Sequence, residues 1–430
     1  MIKNCLAVFN VLACAIPCTM AAAEFQGRWR FNLIRGGEEF APAYIEFKLD
    51  GDKLSGKLNE LKVEGSVAGE SLKFTLVRPD GTPWGTLSGK VDGDVARGTL
   101  GTKDGNEMDW IARRAKPVVK DNPQTHTFEP KEFHRVFSGA IAPALRIKPG
   151  DAVRTWTVDA GGTDSRGKTR SAGGNPETGP FYIEGAGPGD TLVVKLNRIR
   201  LNRDTAGSGG RIVPDALGAG YFRDAKFDDN FSAKWKLDRN GGFATLAKPT
   251  EKLRNFRLEM HPMLGCIAVA TPDKQTFGAG WLGSWGGNMD YNGMREGTTL
   301  YLPVYQEGAL LFVGDGHAAQ GDGELTRDAL ETSMDVEFTV DLIQGARTSG
   351  PRAENDEFIM AMGIANSLPE ALKAATTQLA RWIERDYGLT PNESAIVLGT
   401  SIRYDIAEIV DPQVHIVAKL NKKVLGQLAK

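Results

Sequence analysis

Between residues 286 and 324 the chain concentrates side chains that bind cations or move protons. Gly286-Gly287-Asn288-Met289-Asp290 comes first, and Gly314-Asp315-Gly316-His317-Ala318-Ala319-Gln320-Gly321-Asp322-Gly323-Glu324 closes the region. Asp315, His317, Asp322 and Glu324 sit there among Gly314, Gly316, Gly321 and Gly323. Carboxylate oxygens and imidazole nitrogens are ligands a protein offers to a divalent cation. Asp315 and His317 are two apart, so an extended segment projects both to one face, and Asp322 and Glu324 repeat the spacing. The glycines permit the tight folding that would bring the two pairs together. A plain solvated turn is the competing reading. Against it stand the flanks, with Ala309-Leu310-Leu311-Phe312-Val313 on one side and Leu325 to Val340 on the other. A charged hairpin between two core segments points to a metal or catalytic site.

Other chemistries fail on pattern. The chain has no G-x-S-x-G elbow, no Walker loop and no H-E-x-x-H, and the calcium-binding EF-hand spacing is not met. Gly185-Ala186-Gly187-Pro188-Gly189-Asp190 begins like a dinucleotide loop, but Asp190 stands where the third glycine should be. It reads as a turn feeding the strand Thr191-Leu192-Val193-Val194-Lys195-Leu196. Cys266, in His261-Pro262-Met263-Leu264-Gly265-Cys266, lies between apolar neighbours and reads as a buried small residue, not a nucleophile. His126, His134 and His415 read as packing or surface histidines.

The elements that must position the 286–324 region follow from composition and period. The 430 residues include 52 Lys plus Arg against 54 Asp plus Glu, a balance that leaves no basic footprint for nucleic acid. Glycine holds 51 positions, nearly one in eight against about 7% in ordinary proteins, which signals many turns and close backbone approaches. Residues 1–23 read as a secretory signal: Lys3, an apolar stretch from Cys5 to Pro17 too short to span a bilayer, and Ala21-Ala22-Ala23 for cleavage. That places the protein in the periplasm or outside the cell, with no integral membrane segment after signal removal; lipid attachment at Cys14 is the alternative. Cleavage leaves Cys266 as the sole thiol, so no intrachain disulfide can form.

Residues 24–115 alternate apolar and polar in short runs, as in Tyr44–Leu49 and Leu72–Val77, separated by turns such as Asp50-Gly51-Asp52. Such runs predict a small antiparallel β-barrel or sandwich. Gly27-Arg28-Trp29 and Trp110 to Arg114 resemble the ends of a lipocalin-like barrel, with Trp29 and Trp110 in its core. Pro117, Pro123 and Pro130 mark 116–132 as a linker. Residues 133–430 read as one large unit, strand-rich to about Gly345, with a helix over Pro369–Tyr387, a second from Pro391 and a last strand at Val414–Ala418. The fold class is mainly β with a helical C-terminal portion.

Residues 133–430 resemble the acetamidase/formamidase family of metal-associated amide hydrolases. The resemblance is carried in order by Trp156-Thr157-Val158-Asp159-Ala160, Asn175-Pro176-Glu177-Thr178-Gly179-Pro180, Glu184 through Leu192, His261 through Gly265, Gly286 through Asp290 and Gly314 through Glu324. It implies a β-sandwich-type core that hydrolyses a small formamide- or acetamide-like substrate, self-associates as a dimer and needs a divalent ion, with Zn favoured over Ca or Mn. It implies Asp159, Asp290 and His317 as metal ligands and Glu324, with Asp315 and Asp322, as the proton-handling acids. Asn175 and Asn288 become candidate donors to the substrate's amide oxygen. An unactivated amide needs a strong nucleophile, and metal-acidified water would supply it. The reading from another class is an exported carbohydrate- or small-ligand-binding β protein that kept the scaffold without the activity.

Overall fold

A computed structural model describes residues 25–118, 120–228 and 231–429. The expected signal segment, Cys14 included, lies outside the described residues. The chain divides into two units, Met1–Ala115 and Lys116–Lys430.

In the first unit the strands Gly27–Arg35, Glu38–Asp50, Lys53–Leu58, Leu61–Ala68, Ser71–Val77, Pro83–Asp92, Val95–Thr102 and Glu107–Arg114 each pair with the next. The last pairs back onto the first, closing an antiparallel barrel. Alternation does the work: Leu72, Phe74 and Leu76 are buried while Ser71 and Lys73 face out. Closure leaves no unpaired sheet edge. Aromatic rings fill the interior, with Phe74 edge-on to Phe47 at 5.5 Å and to Trp110 at 6.3 Å between centroids. Trp29 and Trp110 are both buried and spend their indole N–H groups on the carbonyls of Phe25 and Thr99.

The second unit is built on two large sheets of eleven and nine strands. The stretch expected to be only a linker contributes Thr125–Thr127, which pairs in parallel with Ala152–Thr157 at one edge of the nine-stranded sheet. The two sheets face each other across one apolar core: Phe181 of the first meets Phe338 of the second edge-on at 5.3 Å. In the eleven-stranded sheet, Met263–Ala268 and Leu311–His317 are buried at every position. A strand covered on both faces reads as a continuous run instead of an alternation. One of those faces meets the apolar core, and the other meets the polar cluster described below.

Helix Leu368–Tyr387 buries Ala371, Ala375, Leu379 and Ile383, four apart along one face, against the strands Phe358–Ala365 and Val414–Asn421. Ser367 caps its start, and Gly388, at φ 67°, takes the left-handed C-cap conformation that costs other residues strain. Thr390 and Glu393 form a capping box on the next helix, Pro391–Ser401.

Because Phe338 joins the two sheets, Phe338→Ala should cost about 3–5 kcal/mol, read as a lower midpoint in chemical denaturation of the full chain. An unchanged midpoint would show that this ring pair does not hold the sandwich.

Candidate active site

Within the eleven-stranded sheet, neighbouring strands run in the order Ser232–Asp238, Thr205–Gly209, Glu331–Thr332, Leu311–His317, Met263–Ala268 and Gly286–Asn288. Their register sets a row of residues opposite one another: Lys234 pairs with Gly207, Gly207 with Glu331, Glu331 with His317, and His317 with Met263. Directly paired residues share a face. On that face His317 Nε2 lies 3.1 Å from Glu331 Oε1, 3.4 Å from Asp315 Oδ1 and 3.9 Å from Asp290 Oδ1. Asp315 and His317, two apart on one strand, therefore do converge.

The imidazole's orientation is set by Gln320. The Gln320 amide nitrogen donates to the main-chain carbonyls of Asp290 and Ala407. Its Oε1 must then face His317 Nδ1, 2.9 Å away, so Nδ1 carries the hydrogen and donates. Nε2 is left to face the carboxylates.

Gly265 makes the convergence possible. A Cβ there would collide with Asp290 Oδ1 and come within 2.8 Å of Asp315 Oδ2 and 3.1 Å of His317 Cε1. Main-chain strain collects at the same place. Asn175, Asp290, Asp315 and Glu324 take φ values of 53°, 39°, 53° and 47°, a left-handed region that side-chain-bearing residues rarely occupy. Such strain persists only where surrounding structure enforces it.

The charge around His317 is lopsided. Glu177, Asp290, Asp315, Glu324 and Glu408 are buried, and Glu331 and Asp411 half-buried, yet among the described residues no Lys or Arg ion-pairs with any of them. Burial, then the neighbouring acids, pushes the Asp290 carboxyl well above its ordinary range, and burial likewise raises Glu324 and Glu177. Burial lifts Glu331 and Glu408 to about 8 and Asp411 to about 6. Burial alone would lower the His317 pKa, but Glu331 and Asp315 overcome it and hold the ring well above its usual value.

Asp290 Oδ1, Asp315 Oδ1, His317 Nε2 and Glu331 Oε2 are buried and have no hydrogen-bond partner. Two sets of potential ligand atoms lie mutually close: Asp290, His317 and Glu324, and Asp315, His317 and Glu331. Hard oxygens with one imidazole nitrogen suit a divalent cation, Zn²⁺ or Mn²⁺ among them. The missing basic partner and the orphaned atoms fit the same conclusion.

A cleft of about 1080 Å³ opens onto this cluster, lined in part by Asp315, Glu324, Glu331 and Asp411. Asp159 also lines it, but outside both ligand sets: it accepts from Arg203 at 2.7 Å and from the Thr163 amide, so its charge is already balanced. Asp322 is exposed and held by Asn292 at 2.8 Å. It does not share a face with Glu324 because Gly323 (φ 81°) and Glu324 leave the extended conformation. Asn175 and Asn288 reach the cleft, but their amide hydrogens are engaged: Asn175 donates to Asn288 and Asp315, and Asn288 donates to Asp290 and Asp411. They orient acids and keep no N–H for a substrate oxygen. Cys266 is fully buried beside Glu177, and burial pushes its thiol far above the range where a thiolate forms.

Sequence reasoning missed Glu331, Asp411, Glu177, Glu408 and Gln320. The one legible signal was position: Glu331 and Glu177 are lone acids at the starts of the strands Glu331–Thr332 and Thr178–Ile183. Since Gly265 leaves room for three side chains, Gly265→Ala should destabilise the protein by about 1–3 kcal/mol and force Asp290 and Asp315 apart. Thermal unfolding and a crystal structure of the variant check this; an unshifted Asp290 would remove Gly265 from the account.

Comparison with known proteins adds independent evidence. Residues 283–412 match the family model described as the Acetamidase/Formamidase family. An acetamidase from Mycolicibacterium smegmatis is 26% identical over 346 residues, covering 62% of this chain and 85% of the relative. A formamidase from Methylophilus methylotrophus is 26% identical over 267 residues, covering 50% and 64%. Among solved structures, an acetamidase from Yersinia enterocolitica is 30% identical with a TM-score of 0.61, covering 72% of this chain and 96% of that one. One from Thermoanaerobacter tengcongensis, a predicted acetamidase/formamidase, is 27% identical with a TM-score of 0.61, covering 71% and 99%. At that identity and coverage, with the acids and His317 gathered as described, the chain belongs to the acetamidase/formamidase family.

Proposed function

We propose that this amidase hydrolyses a carboxamide C–N bond with the help of a divalent ion at the His317 centre. The observation that carries the reading is the set of orphaned atoms, Asp290 Oδ1, Asp315 Oδ1, His317 Nε2 and Glu331 Oε2, among carboxylates without a basic partner. Leaving such groups unpaired costs several kcal/mol unless they protonate or meet a cation. Asp290, His317 and Glu324 would hold the ion, with Asp315 and Glu331 as the other ligand set around the same imidazole nitrogen. Bound there, a divalent ion supplies Lewis acidity that polarises an amide carbonyl and acidifies water.

The chain's own groups do the rest. Gln320 fixes His317, while Asn175 and Asn288 aim Asp315 and Asp290. Asp315 and Glu331 line the cleft and are placed to take a proton from the attacking water. The water oxygen adds to the carbonyl carbon, the C–N bond breaks, and the proton passes to the departing nitrogen, giving a carboxylic acid and ammonia. No serine or cysteine nucleophile is needed, in keeping with the buried, protonated Cys266. A binding-only protein would have no use for acids that burial disfavours so strongly.

The test is ammonia release from formamide, acetamide and longer amides, with elemental analysis of the purified protein. Chelation should abolish release and a divalent ion restore it. His317→Ala and Asp290→Asn should lose at least about 10²-fold in kcat/KM together with the bound ion. Turnover that survives both substitutions would sink the reading.

A second prediction concerns pH. Glu408 is buried, and its folded pKa of about 8 lies above its unfolded value, so the folded state holds a proton that the unfolded chain releases. Its contribution to stability is present below about pH 4 and is lost as pH rises through about 8. Chelated protein should therefore weaken between pH 5 and 8, and Glu408→Gln should recover a few kcal/mol at pH 8. Urea midpoints at the two pH values measure it; parallel profiles for wild type and variant would contradict it.

A further inference from the structure

We infer that the cleft is built for an amide whose acyl chain ends in an anionic group, a carboxylate several bonds from the scissile C–N bond, received by Lys234 and Arg327. The inference rests on the amidase reading and adds the substrate class.

Size comes first. Acetamide has four heavy atoms and fills roughly three times the ~30 Å³ share of a water molecule. The cleft's volume is about 1080 Å³, the upper end of what sites for far larger ligands need. A substrate no bigger than acetamide would leave most of that wall untouched.

The wall has a definite charge pattern. Lys234 stands in the same paired row as Gly207, Glu331 and His317, so its side chain is on the face where the acids converge. Its ammonium lies 3.8 Å from where a Gly207 Cβ would sit, beside the bare glycine. It nevertheless makes no hydrogen bond or ion pair with any described residue, Glu331 included. Strands about 4.8 Å apart put the Lys234 main chain roughly 10 Å from Glu331 and 14 Å from His317. The ammonium, beside Gly207, stands at the strand that lies between its own and that of Glu331.

Arg327 supplies the second cation. Gly209 shares the face of Gly207, and its missing side chain lets the main chain at Thr326 pass directly over the strand. There Arg327 takes φ 68° and is tied by its amide to the Glu324 carbonyl at 2.8 Å. Its guanidinium faces the cleft and is attracted by Asp328 and Asp411, yet it reaches no ion pair or hydrogen bond with a described residue. Arg203, also on the wall, is different, because Asp159 already engages it. Lys236, two residues from Lys234 on the same strand, also lines the cleft without a described ion pair, and such unspent cations beside an acidic centre offer nothing to a neutral short amide. To an amide with a distal carboxylate they offer a charged end-stop that offsets repulsion from the acids.

The experiment compares succinamate, glutaramate and adipamate with the chain-matched neutral amides butyramide, pentanamide and hexanamide. Ammonia release gives kcat/KM, and calorimetry follows binding of succinate, glutarate and adipate, which cannot be hydrolysed. At least one acidic amide should exceed its neutral match by tenfold or more, mainly through KM. Lys234→Met should bring that ratio near one and remove dicarboxylate binding, Lys234→Arg should keep both, and Arg327→Met should reduce both. Neutral amides turned over as well as acidic ones, or a preference intact in both Met variants, would overturn the inference while leaving the amidase reading standing. If no amide is hydrolysed but dicarboxylate binding still depends on Lys234, the amidase reading fails and the anion site survives.

Discussion

The site in the second unit is arranged around one electrostatic constraint: several carboxylates share a low-dielectric neighbourhood with a single imidazole, and no described Lys or Arg ion-pairs with them. Water solvates a carboxylate far better than a protein interior does, so burial drives Asp290, Glu324 and Glu177 toward their neutral forms. Such a cluster is tolerable only if protons or a cation balance it and if polar neighbours fix each oxygen. The surrounding chain meets the second condition with amides. Asn175, Asn288 and Gln320 each donate to or accept from a member of the cluster while anchoring themselves elsewhere. Amides carry no net charge, so they orient the acids without discharging them. An arginine in any of these places would have satisfied the same oxygens and neutralised the site.

The same constraint explains where the glycines fall. Gly265 leaves the volume that Asp290, Asp315 and His317 occupy together, and a Cβ at Gly314 would collide with Glu177. On the same strand, a Cβ at Gly316 would strike Met334 of the facing sheet. The strand Leu311–His317 is thus hemmed in by acids and by the apolar core, and at Gly314 and Gly316 it has no room for a side chain. Rigidity follows from that packing. A strand clamped between two filled layers holds Asp315 and His317 where a surface loop could not.

Much of this was legible in the residues, and the exceptions have a common cause. The barrel, the two C-terminal helices and the pairing of Asp315 with His317 follow from local period, because a two-residue spacing on a strand maps directly onto a face. Asp322 was grouped with Glu324 by the same rule, but the two lie in a turn, not on a strand, and Asn292 holds Asp322. Asp159 carried the right chemistry in a family-like segment, yet its meaning depended on Arg203, 44 residues away in sequence. Glu331 and Asp411 enter through register between strands and through a turn between the strands Arg403–Glu408 and Val414–Asn421, and neither relation has a local signature. What sequence alone conveys is which residues can share a face; which faces meet is decided by sheet order.

The division of labour within the centre can be argued from one atom. Gln320 occupies His317 Nδ1, so both potential ligand sets depend on the same Nε2, and one lone pair makes one bond to a cation. An ion held with Asp290 and Glu324 therefore leaves Asp315 and Glu331 free, and the reverse choice frees Asp290 and Glu324. The two choices differ in what the cleft sees. Asp315, Glu331 and Glu324 all line it, whereas Asp290 does not. A proton carrier must touch the water or the departing amine, and a ligand need not. On that ground the proposed reading would place Asp290, with Glu324, on the ion and leave Asp315 and Glu331 for the proton. It is also the arrangement in which the Asn175 contact to Asp315 and the Asn288 contact to Asp290 serve separate ends, one aiming a base and the other a ligand.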